Sequence, residues 1–180
     1  MAIEVTPATT FDRPILRNLM ELYLYDFSEF DGAEVGPFGL YEYPYLDHYW
    51  TEPNRFPFMI RVDGRLAGFV LVTRYNYFTE EYNAPDGSSP WVIAEFFIMR
   101  NFRRQGIGEA VARLTFDRFA GDWQVGQIAS NPNATAFWRK VIDRYTSGQY
   151  QETFLDTENW HGPVQSFSSP PKSDQNCHND

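Results

Sequence analysis

The chain is poor in cysteine and in basic residues, and it has no long apolar run. Its one cysteine, Cys177, lies in a polar C-terminal stretch, so no internal disulfide can staple the fold. Nowhere do roughly 20 uninterrupted apolar residues occur, which excludes a helical membrane span and a membrane partner of that kind. The N-terminal stretch "MAIEVTPATT" has neither a basic leader nor an apolar core of signal-peptide length, so a reducing, cytoplasmic location is expected. Fifteen Lys and Arg stand against 24 Asp and Glu, and the formal net charge of -9 sets a repelling surface against a phosphate backbone. No nucleic-acid partner is expected. A cationic or amine ligand would be steered more easily, although acidity of this size also serves solubility alone.

What is present describes a globular domain: 43% hydrophobic and 18% aromatic residues in a chain of 180, enough to bury a core without metal or disulfide. No metal site is expected. One domain should span residues 1–167, followed by a disordered polar tail, "SSPPKSDQNCHND" when read from Ser168. A short strand at "AIEVT" leads into a helix from Pro14 to about Phe30, with Ile15, Leu19, Tyr23, Phe27 and Phe30 at three- and four-residue spacing. The tyrosine-rich segment to Trp50 reads as irregular, with a short helix around Leu46–Trp50. Asp63-Gly64 between two β-rich runs marks a tight hairpin. A polar loop, "TEEYNAPDGSSP", precedes "WVIAEFFIM", a strand buried on both faces and interrupted by Glu95.

After the glycines of "RRQGIGEA", Ile107, Val111, Leu114 and Phe119 should line one helical face, with Glu109, Arg113 and Asp117 as a charge ladder on another. A strand at "WQVGQIA", a helix at "NATAFWRKVIDRY" and closing strands at "GQYQETFL" and "GPVQSFS" complete a mixed sheet flanked by helices.

The glycine turn invites three anion-binding readings. A Walker loop fails, because Gly108 is followed by Glu109 and Ala110 rather than Lys and Ser or Thr. A dinucleotide fingerprint is weak, because Val111 stands where a third small residue belongs. A strand-turn-helix remains, whose backbone N–H groups could meet a pyrophosphate with help from Arg103 and Arg104; a plain turn at a helix start fits the glycine pair equally.

The longer stretch "FFIMRNFRRQGIGEAVA" resembles the acyl-CoA-binding motif of the GNAT superfamily of N-acyltransferases: a buried strand, a linker, then Arg or Gln, two residues, Gly, one residue, Gly or Ala. The order of elements over roughly Ile3 to Phe167 is similar as well. The resemblance implies an α/β (α+β) fold, a GNAT-like mixed central β-sheet flanked by about four helices. It implies acetyl-CoA as co-substrate, its pyrophosphate held by Arg103, Arg104, Gln105, Gly106, Ile107 and Gly108, and its pantetheine arm by the strand end at Phe96, Phe97 and Ile98. A second signature, "SNPNATAFWRKV", supplies Asn131, Ala134, Phe137, Trp138 and Lys140. The matching Asn of relatives contacts the cofactor; Asn131 or Asn133 could do so here, and either could equally cap a helix.

Acetyl transfer by direct attack needs a neutral amine, and a lysine-like amine of pKa ~10.4 costs about 4.6 kcal/mol to deprotonate at pH 7. Glu95, a carboxylate inside an apolar run, is the candidate general base or amine-binding anion, with a structural carboxylate as the alternative. The N–H of Phe97 or Ile98 is expected to stabilise the acyl oxygen. Many relatives place a tyrosine acid where this chain has Trp138, whose indole can donate a hydrogen bond but cannot transfer a proton near neutral pH. Tyr145 is too far along the helix, and Tyr23 or Tyr25 are alternative acids. The acceptor is expected to be a small-molecule or peptide amine, with the segment from Leu40 to Trp50 forming part of its wall; a homodimer is compatible with the chain. The competing reading is an acyl-CoA-binding regulatory module that has lost its chemistry.

Overall fold

A computed structural model describes residues 1–74, 78 and 89–170, so most of the polar loop at 79–90 and the tail from residue 171 lie outside the described residues. Strand β1 (Ile3–Pro7) leads into helix α1 (Arg13–Asp31), which has Pro14 in its first turn and ends on Gly32 at φ 70°. Its fully buried residues are Leu16, Leu19 and Met20; of the stripe expected from sequence, Leu19 is buried, Tyr23, Phe27 and Phe30 are partly buried, and Ile15 faces solvent. The expected short helix at Leu46–Trp50 is a 3-10 turn. Strands β2 (Arg55–Val62) and β3 (Arg65–Thr73) form the hairpin on Asp63 and Gly64, whose φ of 49° and 73° are the left-handed values a two-residue turn demands.

Strand β4 (Trp91–Ile98) crosses through helix α2 (Ile107–Phe116) to β5 (Gly121–Gly126), which runs parallel to it. Helix α3 (Pro132–Thr146) and strands β6 (Gln151–Asp156) and β7 (His161–Ser169) follow. The seven strands are ordered β1-β2-β3-β4-β5-β7-β6. Among the described residues there are three α-helices rather than about four, the remaining helical turns being 3-10. Strand β7 continues two residues beyond Phe167; Ser169 is buried and donates from its Oγ to the Phe119 carbonyl at 2.8 Å.

Two faces of the sheet carry separate cores. Helix α1 and the 3-10 turn pack Leu16, Met20 and Tyr49 against Phe69, Leu71 and Phe97. On the opposite face, α2 and α3 pack Val111, Phe116 and Ile142 against Val70, Val72 and Trp123. Helix α2 departs from expectation at its end. Leu114 is exposed, Phe119 lies beyond the last turn, and Phe116 takes the buried position that the 3.6-residue period assigns after Val111 and Ala112. The charge ladder is half formed: Arg113 meets Glu109 at 3.3 Å, but Asp117 accepts from the Tyr145 hydroxyl at 2.8 Å instead.

Two irregularities in the sheet create the site. Strands β4 and β5 pair only at Trp91 with Trp123 and Val92 with Gln124, then part, leaving a cleft along β4 from Ile93 onward. Strand β4 also bulges against β3: Val72 pairs with Ile93 but Leu71 with Glu95, so Ala94 is the extra residue. A strand alternates its side chains, so one inserted residue reverses every later one. Glu95 and Phe97 thereby point to the α1 face with Leu71 and Phe69, and Phe96 points to the α2 and α3 face with Val70.

Candidate active site

The bulge delivers the Glu95 carboxylate to Tyr23, whose hydroxyl donates to Oε2 at 2.5 Å. Tyr23 is held in place by edge contacts with Phe69 and Phe97 and a tilted contact with Phe27. Burial pushes the Glu95 carboxyl up to about 7, while hydrogen bonds from Tyr23 and Tyr43 pull in the other direction. Burial, followed by the Glu95 charge, pushes the Tyr23 phenol well above its ordinary value. Tyr23 is therefore a donor to Glu95, not a proton source at neutral pH. Tyr25 is exposed and Tyr145 is tied to Asp117, so neither stands at the site.

Sequence placed two side chains of the glycine turn on the anion; the structure commits one elsewhere. Arg103 donates from Nε to the Ile98 carbonyl at 2.7 Å and pairs with Asp26 of α1, which also binds Arg100 at 2.7 Å. These ties clamp the end of β4 to α1, and Asp26, its carboxyl held low by the two arginines against the effect of burial, gave no signal in the sequence. Arg104 is exposed with a left-handed φ of 60°, and Gly106 has φ 77°. Among the described residues, no backbone or side-chain acceptor takes the N–H groups of residues 104–109, so the glycine turn and the first residues of α2 together present a run of donors without a protein acceptor. Gln105 instead donates its side-chain amide to the Asn101 carbonyl at 2.9 Å. Ile107 is fully buried in the core, so only its backbone faces the turn. A Cβ on Gly106 would meet nothing, but one on Gly108 would lie 3.2 Å from the Phe137 ring; Gly108 serves the approach of α2 to α3.

Two cavities occupy the cleft. The first, about 700 Å³, runs from Phe96, Phe97 and Ile98 to the glycine turn, bordered by Arg104 and Lys140. The second, about 370 Å³, lies toward Ile93, Ala94 and Glu95 on one side and Gly126 and Gln127 on the other. They share Tyr23, Phe27, Phe96, Asn131, Ala134 and Trp138, so they meet at the middle of β4. Met99 donates its N–H to Ala67 of β3, so by alternation Phe97 also turns its N–H toward β3, whereas Phe96 and Ile98 turn theirs into the cleft. Of the two donors expected for an acyl oxygen, only Ile98 faces the cleft, and Phe96 joins it.

Asn131 caps α3, accepting the Ala134 N–H at 3.0 Å on Oδ1, and borders both cavities; Asn133 is exposed beside the first. Trp138 is 5% exposed, packed by Phe96, Phe116 and Phe137, with a residual edge on each cavity. No residue from 40 to 50 borders either cavity; that segment reaches the site through Tyr43, a hydrogen-bond partner of Glu95, and through Tyr49, which packs with Phe97 beneath Tyr23. Asp31, Gln127 and Trp160 border the second cavity and were not anticipated from sequence.

A mixed sheet parted between two parallel strands, with a helix start of free amides at the end of the parting, is the acyltransferase fold anticipated above. The chain belongs to the Acetyltransferase (GNAT) family, whose model matches residues 17–142. Similar solved structures include an acetyltransferase from Thermus thermophilus, at 14% identity and TM-score 0.62 over 94% of this chain and 98% of that one. Spermidine N-acetyltransferase from Vibrio cholerae, in complex with CoA and spermine, is 13% identical with TM-score 0.60 over 92% and 95%. An aminoglycoside acetyltransferase in complex with coenzyme A is 15% identical with TM-score 0.60 over 93% and 95%. No curated protein matches the chain by sequence. No helix among the described residues is long and apolar enough to cross a membrane.

Proposed function

We propose that the protein is an acetyl-CoA-dependent N-acetyltransferase that acetylates a primary amine of a small molecule or peptide by direct attack in a ternary complex. The observation behind this reading is Glu95: a half-buried carboxylate of pKa about 7, beside the junction of two cavities. A base works best when its pKa lies near the working pH, because both proton uptake and the ionised fraction then remain useful.

Acetyl-CoA fits the first cavity. Its pyrophosphate takes the free amides of residues 104–109, with Arg104 and Lys140 adding charge, and its pantetheine arm follows β4 at Phe96, Phe97 and Ile98. Asn131 stands at the inner end of that path. The thioester then reaches Phe96, where the cavities meet, and the amine enters from the second cavity. Glu95 accepts the ammonium proton, directly or through a water; the neutral amine nitrogen attacks the thioester carbonyl carbon; the C–S bond breaks, and the second proton lost from nitrogen ends on the departing thiolate, giving the amide and the CoA thiol. Cleft-facing N–H groups of Phe96 and Ile98 receive the negative charge that develops on the carbonyl oxygen. Trp138 walls the junction and supplies no proton. A thiol of pKa ~8.5 leaves tolerably as thiolate, so release does not require a protein acid. Spermidine and aminoglycoside acetyltransferases among the similar structures are consistent with an amine acceptor here.

Thiol release from acetyl-CoA with a panel of amines tests the proposal. Amine-dependent release that Glu95→Gln abolishes supports it. Tight acetyl-CoA binding with no turnover on any amine would make the chain an acyl-CoA-binding module, the reading that Trp138 in place of a tyrosine favours.

A further inference from the structure

The second cavity has a one-sided chemistry. Its titratable side chains other than tyrosine are both carboxylates, Glu95 and Asp31, and among the described residues no Lys, Arg or His borders it. Its remaining walls are mostly apolar, with the aromatic side chains Tyr23, Phe27, Phe96, Trp138 and Trp160 among aliphatic ones, and the amides of Gln127 and Asn131 as the other polar groups. The first cavity differs in being of mixed charge: Arg104 and Lys140, which form no salt bridge among the described residues, border it together with Asp26, Glu29 and Glu109.

Resting on the acetyltransferase reading, we infer that the acceptor is a small, cationic, carboxylate-free amine with an apolar body. Aromatic rings and carboxylates attract an organic cation, the rings through their negative faces and the carboxylates by charge. A carboxylate on the acceptor would enter beside the exposed Asp31 and the Glu95 carboxyl, with no cation among the described residues to receive it, an unfavourable like-charge juxtaposition. Amino acids and acidic peptides are thereby disfavoured. The volume, about 370 Å³, falls at the lower end of small-molecule sites, which span roughly 300–1,000 Å³. Gln127 limits the depth on the β5 side: it is buried, and its side-chain amide exchanges reciprocal hydrogen bonds with Gln165 at 2.8 and 3.0 Å. Gln165 in turn donates to Glu152, which Arg139 holds at 2.8 Å, so that wall is braced through to the protein surface.

Matched pairs differing only in the carboxylate isolate this property: 2-phenylethylamine against phenylalanine, and cadaverine against lysine. At saturating acetyl-CoA, kcat/KM from thiol release should favour the carboxylate-free member of each pair by about 100-fold or more. Asp31→Lys, at the exposed end of α1 where a cation suits the helix terminus, should narrow both ratios by about tenfold. Equal or reversed ratios in the native protein overturn the inference, as does a ratio that Asp31→Lys leaves unmoved or a peptide amine used faster than all four probes. If no amine is turned over, the acetyltransferase reading fails by itself, and titration calorimetry of the same pairs in the presence of CoA decides the selectivity. Tighter binding of the carboxylate-free members supports it, and equal binding overturns it.

Discussion

The hydroxyl of Tyr23 donates to Oε2 of Glu95 at 2.5 Å, joining the first helix to the central strand across 72 residues of sequence. Because hydrogen bonding from Tyr23 lowers the carboxyl pKa that burial raises, this pair sets where Glu95 becomes a base.

Activity should follow Glu95 ionisation. Below pH 7, kcat/KM is expected to fall about tenfold per pH unit, with a plateau above the carboxyl's pKa of about 7. Glu95→Gln should remove this acidic limb and lower kcat by roughly 10²–10⁴-fold. Acetyl-CoA affinity, measured by calorimetry, should stay within about threefold, since the base lies outside the pyrophosphate cradle. A variant retaining native kcat would end the assignment of Glu95 as base.

Tyr23→Phe should move the acidic limb to higher pH, because losing a hydrogen bond to the carboxylate leaves burial less opposed. The ring contacts with Phe69 and Phe97 persist in the variant, so its melting temperature should change little. A pH–rate profile superimposable on the native one would remove Tyr23 from the mechanism.

Stability should carry the same titration with the opposite benefit. Glu95 has a folded pKa of about 7, above its ordinary value of 4.5, so between these values the native state binds more protons than the unfolded chain. The contribution is fully present below pH 4.5 and is lost as pH rises through about 7. Glu95→Gln should therefore gain in melting temperature relative to the native protein as pH rises from 5 to 8; a constant difference between the two would contradict the shift.

The two glycines of the turn should separate in their effects. Gly106→Glu places a carboxylate at the free amides and should weaken acetyl-CoA binding by about 100-fold or more, with a modest loss of stability from the positive φ. Gly108→Val sets new atoms against the Phe137 ring, so its main cost should be a lowered melting temperature of the unliganded protein. Scanning calorimetry beside binding titration distinguishes them, and a Gly106→Glu protein with native acetyl-CoA affinity would displace the cradle from this turn.

Trp138→Phe should keep kcat within about threefold and cost roughly 1–3 kcal/mol of stability in urea unfolding, since the indole fills core space among Phe96, Phe116 and Phe137. A collapse of kcat with stability intact would mean that the indole N–H does take part.

Local chemistry was legible from the sequence wherever neighbours in the chain decide the outcome. Asp63-Gly64 closes its hairpin because its own backbone accepts positive φ, and Gly106 opens α2 for a similar reason. The family motif from Phe96 to Ala112 and the mixed sheet follow from patterns within a few residues, whereas the sequence left open which of Asn131 and Asn133 caps α3, and the fold puts Asn131 there. What sequence left undecided depends on register between distant strands. The single extra residue at Ala94 sends Glu95 toward α1 and Phe96 toward α3, and no periodicity within "WVIAEFFIM" reveals which residue is inserted. The parting of β4 from β5 after Val92, the clamp of Arg103 on Asp26 and the approach of Tyr23 to Glu95 each join segments with no local bias toward one another. Sequence determined which groups the chain possesses; packing of α1 across the bulged strand decided which carboxylate is half-buried, which tyrosine holds it, and which cavity it faces.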